Sequence, residues 1–411
     1  MVQIVVFFVL WCYNFFINEV FIMKYNFDEF INRIGTDSEK WESGGHGGVY
    51  FDQNSLSFSI ADMDFALAPA IDKAIRDRLD KKILGYTEVC TKQYRNSVSN
   101  WFAKRFDWHF DGELMYTVEG VMDGVRLAVE KLTKEGEGVV IMQPVYPPFM
   151  RAVSSLGRKV VVNRLVCDDN NYYTINFDEL EKQFADPNNT MMLLCSPHNP
   201  VGRVWTKDEL CKIADLCKQY NVYLVSDEIH CDLTRVGVEH YPVAKLRPDY
   251  DVVTCVSPSK TFNIAGLQMA NMVFSSKALK AKVSGLVNMQ CANPLSIAAH
   301  LGAYDQSEDW LDEVKVYLDG NFNFLKEWLE QNLPKMKYRV PEGTYLAWID
   351  VSAYQPDSEQ FAKACGFGGI IVEQGDVFGD GGKGFIRFNV ATPRAVIAEG
   401  LERMKKVIEK Y

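Results

Sequence analysis

The chain has 411 residues, of which 47% are hydrophobic and 24% charged, and its formal net charge is −10. This length and apolar content are enough for a large core and two lobes, and the acidic balance argues against nucleic acid or an anionic membrane as the main partner. Ten scattered cysteines show no framework spacing, which predicts reduced thiols and a cytoplasmic location. The six histidines show no metal-ligand spacing, so we predict no catalytic metal.

Residues 1–22 form an apolar extension that we exclude from the predicted fold. Residues 2–17 carry no charged side chain, as in a membrane anchor. However, no positively charged n-region or small-residue cleavage site precedes Lys24, and the stretch is short for a membrane span. We therefore favour an extension without a role in the fold and do not expect a membrane partner, and membrane attachment stays as the alternative.

The next part of the chain contains an arm and then a large domain. Residues 23–69 have little periodicity and are predicted to form an arm over a partner subunit together with part of a small domain. Residues 70–305 are predicted to form the large domain. Its helical patterns lie at 70–82, 94–106, 125–132, 210–220 and within 277–304, and its strand-like runs lie at 138–144, 269–274 and within 190–202, 222–230 and 252–268.

Residues 306–411 are predicted to form a smaller α+β domain. A long helical pattern covers residues 310–333, and four short strands follow at 337–341, 344–349, 369–372 and 385–390. Two helical patterns, at 358–365 and 394–410, alternate with these strands. In the large domain, a capping box at Thr206 and Glu209 starts a helix that ends at Asn221. That helix has the length of a crossover between two parallel strands.

The candidate reactive group is Lys260, which follows a short buried strand in the sequence Ser-Pro-Ser-Lys. A lysine is costly to desolvate unless it is neutral or covalently used, so this position favours a Schiff-base lysine. For an isolated Ser-x-Lys, a surface lysine in a turn is the more common interpretation. Three other stretches favour the reactive one.

Two of these stretches are apolar runs that end in polar residues. Asp227 closes one run, where a buried carboxylate can keep the ring nitrogen of pyridoxal phosphate protonated. Asn199 follows the other, where its amide can donate to the phenolate oxygen of that cofactor. The third stretch leads into the helical pattern at 125–132, and the backbone N–H groups at its start form an anion site suited to a phosphate.

The order of these motifs resembles a known family. Asn-Pro-x-Gly, then Asp-Glu, then Ser-x-Ser-Lys resembles the fold-type I pyridoxal-phosphate enzymes of the class I/II aminotransferase superfamily. The fuller sequences at residues 196–205, 227–230 and 257–268 are similar to the MalY/PatB branch of cystathionine β-lyase-like carbon–sulfur lyases. Residues 61–65, 341–345 and 384–389 also match that branch. The resemblance implies an α/β fold with a mostly parallel seven-stranded sheet in the large domain and a smaller α+β domain.

The resemblance also implies roles for single residues. Lys260 holds pyridoxal 5′-phosphate as a Schiff base and acts as the general base, with Asp227 at the ring nitrogen. Tyr146 stacks on the ring, although it could instead be a core tyrosine. Arg387 grips the substrate carboxylate together with Asn199, although a rim salt bridge is the alternative. The cofactor phosphate and ring are further contacted by Gly120, Val121, Met122, Ser257, Ser259 and His230, and by Tyr86 of the partner in a homodimer.

Two positions differ from the wider aminotransferase pattern and favour the lyase branch. His230 stands where aminotransferases commonly carry a tyrosine, and Gln268 stands where they commonly carry a phosphate-binding arginine. The resemblance therefore implies a β-lyase that cleaves cystathionine or a related cysteine S-conjugate to a thiol, pyruvate and ammonia. An aminotransferase is the first alternative. A cofactor-binding regulatory protein that acts through protein partners is the second.

Overall fold

In a computed structural model of the chain, the structure describes residues 23–42, 54–285 and 292–409. The predicted extension at residues 1–22 therefore lies outside the described residues. Helices cover Glu39–Glu42 (α1), Pro69–Leu79 (α2), Lys92–Phe106 (α3), Val121–Leu132 (α4), Pro148–Ser154 (α5), Phe177–Ala185 (α6), Lys207–Tyr220 (α7), Val243–Leu246 (α8), Pro258–Thr261 (α9), Lys277–Ser284 (α10), Pro294–Gln306 (α11), Glu308–Asn332 (α12), Ser358–Phe367 (α13) and Arg394–Ile408 (α14).

Short strands alternate with these helices. They cover Leu56–Ser57 (β1), Met115–Val118 (β2), Gly138–Gln143 (β3), Lys159–Arg164 (β4), Val166–Cys167 (β5), Tyr173–Thr174 (β6), Asn189–Cys195 (β7), Tyr223–Asp227 (β8), Val252–Val256 (β9), Ala270–Phe274 (β10), Lys337–Tyr338 (β11), Leu346–Asp350 (β12), Ile370–Ile371 (β13), Glu373–Gln374 (β14) and Phe385–Asn389 (β15).

Seven strands form the large sheet in the order β2-β10-β9-β8-β7-β3-β4. Strand β10 is antiparallel to both of its neighbours, and the other pairs are parallel. Strands β3, β9 and β10 are buried at every position, as expected for continuous apolar runs covered by helices on both faces. The predicted mostly parallel seven-stranded sheet is confirmed.

The carboxyl ends of the three central strands are in register. Cys195 at the end of β7 is paired with Asp227 at the end of β8, and Asp227 is paired with Cys255 near the end of β9. Parallel strands in register finish at one edge of the sheet, where open α/β folds bind their ligands. The segments that follow β7, β8 and β9 therefore meet at this edge.

The predicted crossover helix has the expected ends. Thr206 and Glu209 form both hydrogen bonds of a capping box at the start of α7, and Asn221 ends the helix in the left-handed region at φ 56°. A capping box satisfies two of the N–H groups that a helix start leaves without partners, so the local sequence accounts for where α7 begins.

The C-terminal part contains a second, antiparallel sheet of four strands in the order β11-β12-β15-β14. Helices α13 and α14 accompany it, as predicted. Strand β13, predicted at residues 369–372, instead pairs in parallel with β1 in a separate two-stranded sheet. This pairing ties residues near the arm to the C-terminal part, and sequence periodicity could not reveal it because each strand has two residues.

The described part of the arm packs on its own chain. The Phe27 ring contacts Phe65, Trp310 and Tyr317 at centroid distances of 5.2 to 5.7 Å, and Trp41 is buried. A contact of the arm with a partner subunit stays a prediction. No helix within the described ranges is long and apolar enough to cross a membrane.

Candidate active site

A cavity of about 620 Å³ opens at the carboxyl edge of the large sheet, between that sheet and the four-stranded sheet. Both lobes supply its walls, because segments after β7, β8 and β9 meet there with β14 and β15. Eleven of the twelve predicted site residues line it: Gly120, Val121, Met122, Tyr146, Asn199, Asp227, His230, Ser257, Ser259, Lys260 and Arg387.

Lys260 reaches the cavity from α9, a single turn that directly follows β9. Ser257 caps this turn, because its Oγ accepts a hydrogen bond from the Ser259 N–H at 3.1 Å. The Lys260 Nζ donates to the Ala61 carbonyl oxygen at 2.6 Å. Burial lowers the pKa of this amine and the carboxylate of Asp62 opposes that shift, so the site favours the neutral, nucleophilic form more than water does.

Asp227 lies at the end of β8 and is 4% exposed. One carboxylate oxygen accepts the Ile229 N–H at 3.1 Å. Burial raises the pKa of Asp227 to about 7, and the neighbouring Glu228 carboxylate adds to the shift, although the Ile229 hydrogen bond opposes it. A buried carboxylate with a raised pKa has a strong requirement for a hydrogen-bond donor or a cation in the cavity.

Arg387 enters the cavity from β15 and is also 4% exposed. Its Nη1 donates to Asn199 Oδ1 at 3.2 Å, and its Nη2 donates to the Ser59 carbonyl at 2.7 Å. The Glu373 carboxylate lies 3.8 Å away, and the guanidinium lies 4.9 Å from the centre of the Phe378 ring. Burial lowers the pKa of Arg387, and the group remains a fixed planar cation suited to a carboxylate.

Two aromatic side chains border the same space. Tyr146 follows β3, and its backbone N–H donates to the Asn199 carbonyl at 3.1 Å. His230 is buried against the Tyr345 ring at 6.0 Å, and within the described residues its Nδ1 has no hydrogen-bond partner. Burial lowers the pKa of His230 to about 3, so this imidazole is neutral at physiological pH.

The start of α4 also lines the cavity. Gly120 is the N-cap residue and has no side chain to fill the space, and Val121 and Met122 begin the helix. The first N–H groups of a helix have no partners within it and attract anions. The Ser257 hydroxyl donates to the Met269 carbonyl at 2.9 Å, so its hydrogen is already committed in this structure.

Tyr86 is the predicted site residue that lies outside the cavity. It is fully exposed, in a segment where Ile83 and Leu84 are also exposed. A residue that reaches a neighbouring subunit is expected at the surface of a single chain. The role of Tyr86 at the partner's cofactor phosphate therefore stays a prediction.

The sequence missed several groups that the fold brings to the reactive amine. The Tyr345 hydroxyl donates to the same Ala61 carbonyl as Lys260, at 2.7 Å. Asn389 donates to the carbonyls on either side, those of Ile60 and Asp62, both at 2.7 Å. Both side chains belong to motifs that matched the lyase branch, but a backbone acceptor leaves no signature in the sequence.

The arrangement has the components for acid–base chemistry on a small carboxylate-bearing molecule. It combines a desolvated amine, a buried guanidinium for a carboxylate, and a helix start for an anion, around one cavity. Within the ranges that the structure describes, there is no group of three His, Cys, Asp or Glu side chains placed to hold a metal ion.

Comparison with known proteins identifies the family of the chain. Residues 53–404 match the family model for aminotransferase class I and II. The chain is 38% identical to cystathionine β-lyase PatB of Bacillus subtilis, over 93% of this chain and 100% of that protein. It is 31% identical to protein MalY of Escherichia coli, over 92% of this chain and 97% of that protein.

Solved structures agree with these relatives. A PLP-bound putative aminotransferase from Clostridium difficile superimposes with a TM-score of 0.90 at 35% identity, covering 94% of this chain and 100% of its own. A PLP-bound C–S lyase from Staphylococcus hominis superimposes with a TM-score of 0.88 at 36% identity, covering 94% and 99%. The predicted family is confirmed: the chain belongs to the aminotransferase class I and II family, in the branch that contains PatB and MalY.

Proposed function

We propose that the protein is a pyridoxal-phosphate-dependent carbon–sulfur β-lyase that acts on L-cystathionine or related cysteine S-conjugates. The observation that carries the proposal is that one cavity joins the desolvated Lys260 amine to a buried guanidinium held by Asn199. This pair matches what a reaction at the Cα–H bond of an amino acid requires, a base and a carboxylate clamp. The PatB and C–S lyase relatives support the reaction type.

The residues present fit pyridoxal phosphate. The raised pKa of Asp227, caused by its burial, is the property of a carboxyl group that lacks a cation, and a protonated ring nitrogen supplies one. The start of α4 offers unpartnered N–H groups to a phosphate, and Tyr146 borders the same cavity. When bound, this cofactor supplies an electron sink for the pair released at Cα.

Lys260 performs the proton transfer in the proposed reaction. Arg387 and Asn199 hold the substrate carboxylate, so that the Cα–H bond is directed at the Lys260 Nζ. The amine takes the Cα proton, and the Cα–H electron pair becomes the Cα–Cβ double bond as the Cβ–S bond breaks. Sulfur leaves with that bonding pair as a thiolate, and hydrolysis of the remaining fragment gives pyruvate and ammonia.

Two residues favour elimination over transamination. His230 is a neutral imidazole where the wider pattern has a phenol, and its pKa of about 3 keeps it uncharged. Gln268, where an arginine is common, ends the short helical turn Ala265–Leu267 in the left-handed region at φ 49°. Neither residue adds a cation beside the cofactor phosphate, so the N–H groups of α4 and nearby hydroxyls carry that interaction.

Incubation of the holoenzyme with L-cystathionine and no keto-acid acceptor separates the two reactions. We expect pyruvate and a thiol product to appear together. Turnover that begins only after 2-oxoglutarate is added, with no thiol released, would assign the protein to the aminotransferases. L-alanine serves as the matched control substrate, because it has the same carboxylate and Cα–H bond but no leaving group on Cβ.

The protein is further proposed to be a homodimer with Tyr86 of one subunit at the cofactor phosphate of the other. The support is the surface after α2, where Ile83 is 72% exposed, Leu84 is 55% exposed and Tyr86 is fully exposed. Such apolar groups in one segment favour contact with another chain. Light scattering after size-exclusion chromatography measures the mass, and a Tyr86→Ala variant is expected to bind pyridoxal phosphate more weakly at equal folding.

A cytoplasmic location and the division at residue 306 also belong to this proposal. The eight cysteines within the described ranges are free thiols, which is usual in a reducing compartment. Strands β2 to β10 all lie within residues 70–305 and helix α12 begins at Glu308, which supports a large domain at 70–305 and a small domain at 306–411. Limited proteolysis near residue 306 tests the boundary.

A further inference from the structure

One short backbone segment contacts both the Lys260 amine and the Arg387 guanidinium of the cavity. We name residues 59–63 the strap. Each of its five carbonyl oxygens accepts a hydrogen bond from at least one side chain. The donors are Arg387 to Ser59, Asn389 to Ile60, Lys260 and Tyr345 to Ala61, Asn389 and Lys40 to Asp62, and Asn263 and Arg33 to Met63.

Five consecutive carbonyls that each accept a side-chain hydrogen bond are unusual for backbone outside helices and strands. Most loop carbonyls face water, and a run of buried carbonyls needs a partner for each. Here the partners come from three separate parts of the chain: the arm, the segment around Lys260, and the C-terminal sheet. The strap is therefore positioned by all three at once, and a shift in any of them is transmitted to its carbonyls.

The strap also links the two groups that act on the substrate. The Arg387 Nη2 is bonded to the Ser59 carbonyl at 2.7 Å, and the Lys260 Nζ is bonded to the Ala61 carbonyl at 2.6 Å. Two residues of chain span at most about 7 Å. In an amino acid, the carboxylate and the Cα–H bond are also close together. Lys260, which takes the Cα proton, and Arg387, which binds the carboxylate, must therefore stay a short, fixed distance apart.

We propose that the strap positions the Lys260 amine for proton transfer, through the Ala61 carbonyl, and that Asn389 and Asn263 are positioning residues for that amine. The inference rests on the proposed lyase function and deepens it. An amine that holds one N–H on a fixed acceptor has its lone pair restricted to two directions. Taking the Cα proton then converts the amine to an ammonium whose charge the same carbonyl stabilises.

Asn389 holds the backbone on either side of this acceptor, which also accepts the Tyr345 hydroxyl. Its Nδ2 donates to the carbonyls of Ile60 and Asp62, both at 2.7 Å, so it holds the two peptide units that flank Ala61. Its Oδ1 accepts the Ala391 N–H at 2.8 Å. Within the described residues, the Lys260 amine makes one hydrogen bond, to Ala61, whereas Arg387 has Asn199 and Ser59. Loss of Asn389 is expected to disturb the amine more than the guanidinium.

Asn263 fixes the strap from the side of the lysine. It lies three residues after Lys260, in the left-handed region at φ 56°. Its Oδ1 accepts the Met63 N–H at 2.9 Å, and its Nδ2 donates to the Met63 carbonyl at 2.7 Å. This pair of bonds ties the strap to the same loop that carries the reactive amine.

The test compares Asn389→Ala with a matched control, Asn321→Ala. Asn321 is equally buried, and its Nδ2 also donates to two backbone carbonyls, those of Val390 at 2.9 Å and Thr392 at 3.0 Å. It does not touch the strap. Each substitution therefore removes two amide–carbonyl hydrogen bonds from the C-terminal part of the chain. Only Asn389→Ala removes the bonds to the peptide units on either side of Ala61.

Two readouts are measured on both variants. In the cofactor-free protein, the pH dependence of reductive methylation at Lys260, followed by peptide mass spectrometry, gives the midpoint for the amine. We expect Asn389→Ala to lower this midpoint, because the ammonium loses a well-aligned acceptor. In the holoenzyme, kcat for L-cystathionine is expected to fall by about tenfold or more with KM within about threefold of wild type, as for a misplaced base.

Asn321→Ala is expected to match the wild type in both readouts. Equal values for the two variants would overturn the proposal, because the strap would then have only a structural role. If Asn389→Ala does not fold, Asn263→Gly decides, since glycine tolerates φ 56° and removes both bonds to Met63 without adding a charge near Lys260. A lowered midpoint supports the proposal, and a midpoint equal to wild type overturns it. A wild-type holoenzyme that makes no pyruvate contradicts the lyase function, and the methylation midpoints still test the strap.

Discussion

The two sides of the cavity are built in different ways. On the side of the large sheet, Asp227 ends β8, and Asn199 and Lys260 follow the ends of β7 and β9, so adjacent strands bring them together in register. On the opposite side, Arg387 bonds to the Ser59 carbonyl, and the strap is held by side chains from the arm, the segment around Lys260 and the C-terminal sheet. The first side depends on local motifs, and the second depends on contacts between distant parts of the chain, such as those of Arg387 with Ser59 and Asn389 with Ile60, which are 328 and 329 positions apart. We therefore expect substitutions on the first side to abolish the chemistry and substitutions on the second to alter its alignment.

The largest effect is expected at Lys260, on the side of the large sheet. Lys260→Ala removes both the covalent attachment point and the base, so kcat for pyruvate formation should fall by at least about 10³-fold. Borohydride treatment of the wild-type holoenzyme should label Lys260 with the cofactor, detected by peptide mass spectrometry. Lys277→Ala, at the exposed start of α10, is the control and should retain full activity.

Asp227→Asn is expected to have the second largest effect, a loss of about 10²-fold in kcat, because an amide does not keep a ring nitrogen protonated. It also changes stability in the cofactor-free protein. The Asp227 pKa is about 7 when folded and 3.8 in the reference state, so ionisation destabilises the fold progressively between about pH 4 and pH 7. The variant removes this penalty and should be more stable than wild type at pH 8, by up to about 4 kcal/mol.

Urea unfolding of the cofactor-free proteins at pH 4 and pH 8 measures this difference. The gain from Asp227→Asn should be fully present at pH 8 and largely lost at pH 4, where Asp227 is protonated in the folded state and only about half ionised in the unfolded state. A gain of equal size at both pH values would indicate a packing effect and would contradict burial of a charged carboxylate as the cause.

Arg387→Lys tests the opposite side of the cavity. Lysine keeps the charge but loses the planar pair of donors that Asn199 and a substrate carboxylate require. We expect KM for L-cystathionine to rise by about 10- to 100-fold with a smaller change in kcat. Arg403→Lys, on the surface of α14 where Arg403 pairs with Glu399, is the matched control. A fall in kcat without a change in KM would assign Arg387 to the chemical step instead of to binding.

The smallest effect is expected away from both sides of the cavity. Thr206→Ala removes the capping box at the start of α7 and should lower the free energy of unfolding by about 1 kcal/mol, with kcat unchanged. Thr206→Ser keeps the hydroxyl and should stay near wild type in urea unfolding. A loss of activity in Thr206→Ala would show that the position of α7 also affects the cavity. Activity would then depend on more than the two sides of the cavity.

Residues with local roles could be predicted from the sequence, and residues whose contacts depend on distant parts of the chain could not. The sequence predicts Thr206 and Asn221 correctly as helix ends, because capping depends on a few neighbouring residues. The strand β4 and the pairing of β1 with β13 were not predicted. Tyr345 and Asn389 were noticed within matching motifs, but nothing in the sequence indicated that both donate to the strap.

The sequence by itself determined the family, the parallel sheet and the lysine with its acidic and amide neighbours, because motifs that end buried strands have local and periodic signatures. Only the tertiary structure decided how the Lys260 amine is held and which groups surround Arg387. Those contacts use backbone carbonyls, which every residue possesses and which therefore leave no pattern in the order of side chains. Their geometry arises only when the arm, the large sheet and the C-terminal sheet pack together.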